Sequence, residues 1–406
     1  MERFTWGSVR DTWKMVRSGA ALVFVLGATV ALVAGCGGGD SGSSTSSSGD
    51  SGAATSASST AAADSSTTAA DSSTTASADQ TPYQVTGSKG DKQPLTLLGE
   101  VPNRKASKEY NVCYVGNTPI NTYVQAMEYG AETAADALGV KLHKEIANWD
   151  SAEQINQMQA LVQQNKCDGM VLFAADPNAE CNTVKRIAKT LPVVVTNFPL
   201  CGDDGYTEGT VSESSSQSYP FYKQYVDWAF GELAKKGGGK VAVLSGPSTF
   251  GHYQQLKRAS EEGAKKYPNV KVVQNIAAPW TIEAGLKQAQ TVLQTHPDVD
   301  MLLSSYDQNT VGAIKALQSA GKKPGEITIF DLGGDERTFP LLKEGWIQGI
   351  QYLQPVEEVG QGLELLVGHL DGQEVPTFNN LGAGKGLPGN TVQITEANVD
   401  QFKPEF

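Results

Sequence analysis

The stretch Asp150–Pro177, DSAEQINQMQALVQQNKCDGMVLFAADP, constrains the fold more than any other part of the chain. It reads as one helix followed at once by one strand. Ile155, Met158, Leu161 and Val162 recur at helical spacing, so one face is apolar. Ser151 can cap this helix, with Gln154 at the position a capping box requires. Asn165 to Gly169 breaks the helix, and Gly169 tolerates the tight turn. Met170 to Ala174 is then unbroken apolar sequence, as in a strand covered on both faces. A unit of this kind needs neighbours of the same kind to bury its faces. In open α/β sheets the ligand crevice lies at the carboxyl ends of the strands. Asp176, which ends this strand, therefore sits at a functional edge, with a plain loop role as the alternative.

The neighbours are present on both sides. Val112–Val115 reads as a strand, Tyr123–Leu138 as a helix with a small inner face (Ala126, Gly130, Ala134), and Val140–Ile146 as a strand. The helix Asn182–Thr190 and the strand Pro192–Thr196 follow. Gly202–Gln217 is polar and reads as a crossing between lobes. A second series then has strands at Val241–Leu244, Val270–Ile276, Met301–Ser304 and Ile327–Phe330. Its helices are Tyr222–Lys235, Tyr253–Tyr267, Thr281–Thr295 and Val311–Ala320. Ile347–Leu353 is a further strand and Val356–Leu370 a further helix. Repeated βα units imply parallel sheets with right-handed crossovers. The expected fold is α/β: two Rossmann-like lobes joined by a hinge, with a cleft between them.

The amino terminus indicates export. Arg3, Arg10, Lys14 and Arg17 precede an uncharged apolar run, Gly19–Ala34. A positive flank, a short apolar core and small residues at its end make a signal peptide, here residues 1–35. The core is short for a span of roughly 20 residues; an uncleaved anchor is the alternative. Leu32-Val33-Ala34-Gly35-Cys36 resembles the bacterial lipobox, whose cysteine is lipidated and becomes the first residue. The resemblance implies a lipid-anchored protein on the outer face of the cytoplasmic membrane or in the periplasm or cell envelope. Residues 36–108 read as the lipidated cysteine and a low-complexity linker, in which AADSSTT occurs twice in succession. Such sequence buries too little surface to repay ordering entropy.

The remaining cysteines, Cys113, Cys167, Cys181 and Cys201, suggest disulfides in an exported chain, with free buried thiols as the alternative. Cys181 precedes a helix and Cys201 follows the next strand, so both can reach the same end of the first lobe. Cys113 with Cys167 is then the second pair. A formal net charge of -12 argues against nucleic acid as a partner. His143, His252, His296 and His369 lack metal-ligand spacing, and packing or surface roles are expected for them. Gly382–Gly386 lacks the P-loop spacing, and no nucleophile elbow or dinucleotide fingerprint is present. No enzyme activity, cofactor or metal is expected.

The order of elements resembles the type I periplasmic solute-binding proteins, the ribose- and galactose-binding group. The local patterns that carry this are NTPINTYVQAMEYGAE, CDGMVLFAADP, LPVVVTN, HPDVDMLLSSYDQNTVGAIKALQSAG and QPVEEVG. The resemblance implies an amino-terminal lobe of residues 109–211 and 355–380 and a carboxy-terminal lobe of 212–354 and 381–406. It implies a ligand held between lobes by aromatic faces and hydrogen bonds. By position, Asn121 and Tyr123 take the first-lobe polar and aromatic places, and Asn197-Phe198 falls where a ribose binder has Asp-Arg. Trp280 takes the second-lobe aromatic place, Tyr306-Asp307 falls at the usual Asn-Asp, and Gln354 matches the hinge glutamine. Asp335 is the choice for the last acid, with Asp331 competing; the second-lobe arginine position falls at Ser260, with Arg258 two places away. The implied protein is a monomeric receptor for a small molecule, a sugar or sugar-like, that serves an ABC permease. A sensory module, a binder of a non-sugar aromatic or cationic solute, and an exported enzyme are the alternatives.

Intact-mass measurement should find Cys36 as the lipidated first residue, and Cys36→Ala should lose both lipid and processing. An unlipidated wild-type protein beginning elsewhere rules this out.

Overall fold

The computed structural model describes residues 83–84, 94–95 and 104–406. The signal peptide and Cys36 lie outside the described residues. Within the expected linker, β1 (Tyr83–Gln84) pairs antiparallel with β2 (Pro94–Leu95). The linker boundary at 108 is also too late. Ala106 N–H donates to Leu138 O, and Ser107 N–H and the Tyr110 hydroxyl both reach the Asp371 carboxylate. Arg104 donates to Glu364 O at 2.9 Å and lies 3.5 Å from Asp371. Composition hid this docking, because each contact falls on a residue distant in sequence.

The first series runs β3 (Asn111–Asn117), α1 (Thr122–Leu138), β4 (Lys141–Ala147), α2 (Ser151–Gln163), β5 (Gly169–Leu172), α3 (Pro177–Ile187), β6 (Val193–Thr196) and β7 (Ser212–Ser215). The second runs α4 (Tyr219–Lys235), β8 (Gly239–Ser245), α5 (Gly251–Lys266), β9 (Val270–Ala277), α6 (Ile282–Thr295), β10 (Met301–Ser304), α7 (Asp307–Ser319), β11 (Thr328–Gly333), α8 (Thr338–Lys343) and β12 (Gly349–Tyr352). The chain then adds α9 (Pro355–Leu370), β13 (Phe378–Asn380) and β14 (Gln393–Ile394).

Two six-stranded sheets result, in the orders β13-β7-β6-β5-β3-β4 and β14-β12-β11-β10-β8-β9. Every pairing in them is parallel except β12 with β14. The central strands β5, β6 and β10 are fully buried apolar runs, as covering on both faces requires. The sequence of β7 is SESS, yet all four residues are buried between β6 and β13. The lobe boundary read between residues 211 and 212 therefore assigns a first-lobe strand to the second lobe. The crossing is later and shorter, at Ser216–Ser218, between β7 and α4. Leu353–Gln354 makes the second crossing and the segment after β13 the third.

Helix packing depends on small residues. A Cβ at Gly130 would run into Val356 O, so α1 and α9 approach only because position 130 has no side chain. Gly285 and Gly312 serve α6 and α7 in the same way, facing Asn309 and Ile282 backbone. The helix α2 is capped by Asp150, not Ser151: its carboxylate accepts from Ala152 N and Glu153 N. Gln154 is drawn from the capping position into the core. Its Nε2 donates to Gly116 O (2.9 Å) and Phe173 O (3.1 Å), and its Oε1 accepts from Ala175 N. Gln288 on α6 clamps Ser245 O and Ile276 O in the second lobe likewise. Both glutamines thus fix the carboxyl ends of strands, where the cleft lies. Disulfides join Cys113 to Cys167 and Cys181 to Cys201.

Glu180 on α3 is fully buried, and its Oε1 accepts from Asp176 N at 3.0 Å. Burial pushes its carboxyl up to about 8. A raised acid contributes stability that is complete below the unfolded pKa, about 4.3, and lost as pH rises through about 8. Glu180→Gln should remove that slope, gaining on wild type between pH 5 and 8.5 in urea unfolding. Parallel pH profiles for the two proteins exclude it. Gly130→Ala should destabilise by roughly 1–3 kcal/mol through overpacking of α1 on α9, measured in the same assay.

Candidate functional site

A cavity opens between the lobes at the carboxyl ends of both sheets, with about 470 Å³ of empty space including its mouth. The first lobe supplies Asn121, Tyr123, Val124, Trp149, Phe173, Asn197 and Phe198. The second supplies His252, Trp280, Ser305 and Tyr306, and the crossings supply Gln217 and Leu353. Left-handed backbone marks two of the first-lobe positions. Trp149 holds φ of 60°, the left-handed region that bulky residues avoid, and Asn197 holds 74°, which asparagine tolerates better than most.

Behind the cavity, Glu358 organises the first lobe. It is a buried residue of α9, the helix whose start the sequence QPVEEVG marks. Its Oε2 accepts from the Tyr123 hydroxyl at 2.6 Å and from Asn197 Nδ2 at 2.9 Å. Its Oε1 accepts from Ser216 N and Ser216 Oγ at 2.7 and 2.6 Å. The Tyr123 hydroxyl in turn accepts from Asn197 Nδ2 and Gln217 Nε2, both at 2.9 Å. Burial raises the Glu358 carboxyl, and the bonds from Ser216, Tyr123 and Asn197 pull it back down. Burial first, and then the Glu358 charge, lifts the Tyr123 phenol well above its usual range.

Aromatic rings meet across the cleft. Phe198 stacks on His252 at 5.7 Å with 29° between planes, and His252 lies 5.0 Å from Trp280. Trp149 sits edge-on to Phe173 at 5.6 Å and to Phe250 at 6.0 Å, and donates its indole N–H to Thr118 O. Phe250 closes on Trp280 at 4.9 Å. Gly246 leaves room for this group, since a Cβ there would meet Trp280 Nε1. Burial alone drives the His252 imidazole down to about 3, so it is neutral. Its packing role was legible; its place in the cleft was not, because only the fold brings α5 to Trp280 and Phe198.

Of the residues expected at a ligand, Asn121, Tyr123, Asn197, Phe198, Trp280 and Tyr306 are brought to the cavity. Asn121 also caps α1, accepting from Val124 N. Three others are turned away. Asp307 faces the second lobe, where its Oδ1 accepts from Gly334 N (2.7 Å), Asp335 N (3.1 Å) and Thr338 Oγ1 (3.2 Å). Asp335 is held by Arg337 and caps its own turn through Arg337 N and Thr338 N. Asp331 is buried against Thr310, so neither competing acid lines the cavity. Gln354 lies at the second crossing, but its Nε2 donates to Leu381 O and ties that crossing to the third. Arg258 pairs with Asp204 at the surface, and Ser260 Oγ bonds Leu256 O within its own helix. Trp149, Phe173, Gln217, His252, Ser305 and Glu358 were missed. Glu358 had a signal: Glu357, Glu358, Gln361 and Glu364 share one side of an otherwise apolar helix, and α9 buries that side too.

A family model described as a periplasmic binding protein domain matches residues 112–374. The chain belongs to the periplasmic binding protein family. Members of this family are exported, non-enzymatic solute-binding components of transporters. The chain is 28% identical to a D-ribose/D-allose-binding protein of Pseudomonas aeruginosa over 48% of its own length, spanning 60% of that protein. It is 23% identical to a ribose import binding protein of Bacillus subtilis, over 62% of this chain and 79% of that one. Among solved structures, a periplasmic ribose ABC transporter protein from Conexibacter woesei matches with a TM-score of 0.62 at 19% identity. That match covers 73% of this chain and 95% of that one. A protein from Actinobacillus succinogenes with bound D-allose matches with a TM-score of 0.62 at 18% identity, over 73% of this chain and 100% of that one. These likenesses agree on two parallel-sheet lobes. Among the described residues no group of His, Cys, Asp or Glu is placed to hold a metal ion, and no helix is long and apolar enough to cross a membrane.

Tyr123→Phe keeps the ring but removes one donor to Glu358 Oε2 and leaves Gln217 Nε2 without its acceptor. It should cost about 1–3 kcal/mol of stability, the penalty of a buried polar group left unpaired, read by denaturant unfolding. Asp307→Ala strips two backbone N–H groups and should destabilise the second lobe by a similar amount. An Asp307→Ala protein as stable as wild type contradicts this placement.

Proposed function

We propose that this chain is an exported, lipid-anchored receptor that captures a small uncharged solute between two closing lobes and delivers it to an ABC permease. The observation that supports this most is the convergence of rings from both lobes on one cavity in front of three crossing segments. Such an arrangement favours closure only if a ligand binds the closed state better than the open one. Groups that touch the ligand from both lobes provide that difference, since they act together only on closure. The names of the relatives favour a sugar or sugar-like solute. The apolar run ending in Cys36 supports the lipid anchor.

Trp280→Ala should leave the fold intact and weaken binding at least tenfold, about 1.4 kcal/mol or more. The measurement is calorimetry with the small molecule released from the denatured protein, alongside small-angle scattering for compaction. Unchanged affinity together with no compaction on ligand addition rejects the closing cleft.

A further inference from the structure

We propose that Glu405 and Phe406 are positioning residues for solute capture: the segment Phe402–Phe406 staples the second crossing and holds the lobes in the closed arrangement. This role rests on the reading that the two lobes move against each other, and is the same whatever the solute.

The segment is bonded to both lobes. On the second-lobe side, the Tyr352 hydroxyl at the end of β12 donates to Lys403 O at 2.6 Å, and the Tyr352 ring lies 5.7 Å from that of Phe402. Glu336 N–H, just after β11, donates to Phe406 O at 3.1 Å. On the first-lobe side, Glu405 Oε2 accepts from Val356 N–H at 3.0 Å, in the first turn of α9. The Phe406 ring meets the Tyr123 ring edge-on at 5.2 Å. Tyr352 and Val356 flank the crossing Leu353–Gln354, so the staple grips that crossing at both ends.

Each first-lobe contact bears on the cavity wall. Gln354 stands at the cap position of α9 but turns its side chain to Leu381 O, and Pro355 has no N–H. Glu405 thus gives α9 the acceptor that its own flank withholds. This helix carries Glu358, which fixes Tyr123, Asn197 and Ser216. Phe406 packs on the same Tyr123, which lines the cavity. Burial first, and then the Glu357 charge, raises the Glu405 carboxyl well above its usual range. Glutamine, neutral and with an oxygen to accept from Val356 N–H, is therefore its close substitute.

A hinge absorbs its motion in a few backbone angles. Glu405 follows Lys403 by two residues, at most about 7 Å of chain, so the staple cannot stretch. A rotation at Leu353–Gln354 that carries Val356 away from Tyr352 must break the Glu405 bond or pull Phe406 from Tyr123 or Glu336. These contacts exist together with the ring contacts across the cleft, Phe198 on His252 and Trp149 on Phe250. Losing them lowers the population of that arrangement, and apparent affinity falls in proportion.

The test is hydrogen exchange read by mass spectrometry on the full chain, dialysed free of small molecules. Glu405→Ala and Phe406→Ala should each speed exchange about threefold or more in the cleft segments around Trp149 and Phe250. Glu405→Gln should stay close to wild type. Faster exchange confined to the start of α9 would make Glu405 a local cap and overturn the proposal. Unchanged exchange in the cleft, or a uniform rise over the whole chain, overturns it as well. Glu405→Gln exchanging as fast as Glu405→Ala removes the role of Glu405 as acceptor. Phe406→Ala carries the test alone if Glu405→Ala does not fold. Solute capture is read separately: variants that open beside a wild type that no released small molecule compacts leave the staple standing and reject capture.

Discussion

The buried Glu358 carboxylate is the interaction on which the first lobe and its side of the cleft depend. It takes four donors from three places: Tyr123 near the start of α1, Asn197 after β6, and Ser216 at the first crossing. A carboxylate removed from water is tolerable only when its lone pairs are satisfied in this way. The residues that satisfy it are thereby fixed, and two of them line the cavity. The left-handed backbone at Asn197, φ 74°, is held by the same arrangement. Removing the acid would therefore disturb the first turn of α1, a strand end and a hinge together.

The two lobes manage buried polarity differently. In the first, polar groups behind the cavity are joined into one network around Glu358. In the second, the acids Asp307, Asp331 and Asp335 turn from the cleft toward backbone N–H groups, Thr310 and Arg337. Burial raises the Asp307 and Asp331 carboxyls, Asp331 to about 7. The lining of the cavity is therefore uncharged and largely aromatic.

The strand-helix units were legible because their physics is local. Met170–Leu172, Val193–Thr196 and Met301–Ser304 are apolar runs bounded by turn residues, and all became central strands. The strand SESS at Ser212–Ser215 could not be read, because its polar residues are buried by neighbours distant in the chain. Glu213 within it is fully buried, and burial lifts its carboxyl well above the usual range. Gln154 was misplaced at a helix cap for a related reason: its partners lie on β3 and after β5.

The sequence alone determined the class of fold and the two series of βα units; the aromatic positions Tyr123, Phe198, Trp280 and Tyr306 that reach the cavity came from its resemblance to a known family. It could do so because hydrophobic periodicity and chain order are properties of short segments. Tertiary structure decided which polar groups are spent and which are free. Asp307, Asp335 and Gln354 carry the right chemistry for a ligand but are claimed by backbone groups of their own lobe or hinge. His252 carries no signal in its own neighbourhood, and becomes a cleft residue only when Phe198 and Trp280 are folded around it. Hydrogen-bond partners are assigned by three-dimensional proximity, and no local pattern encodes that assignment.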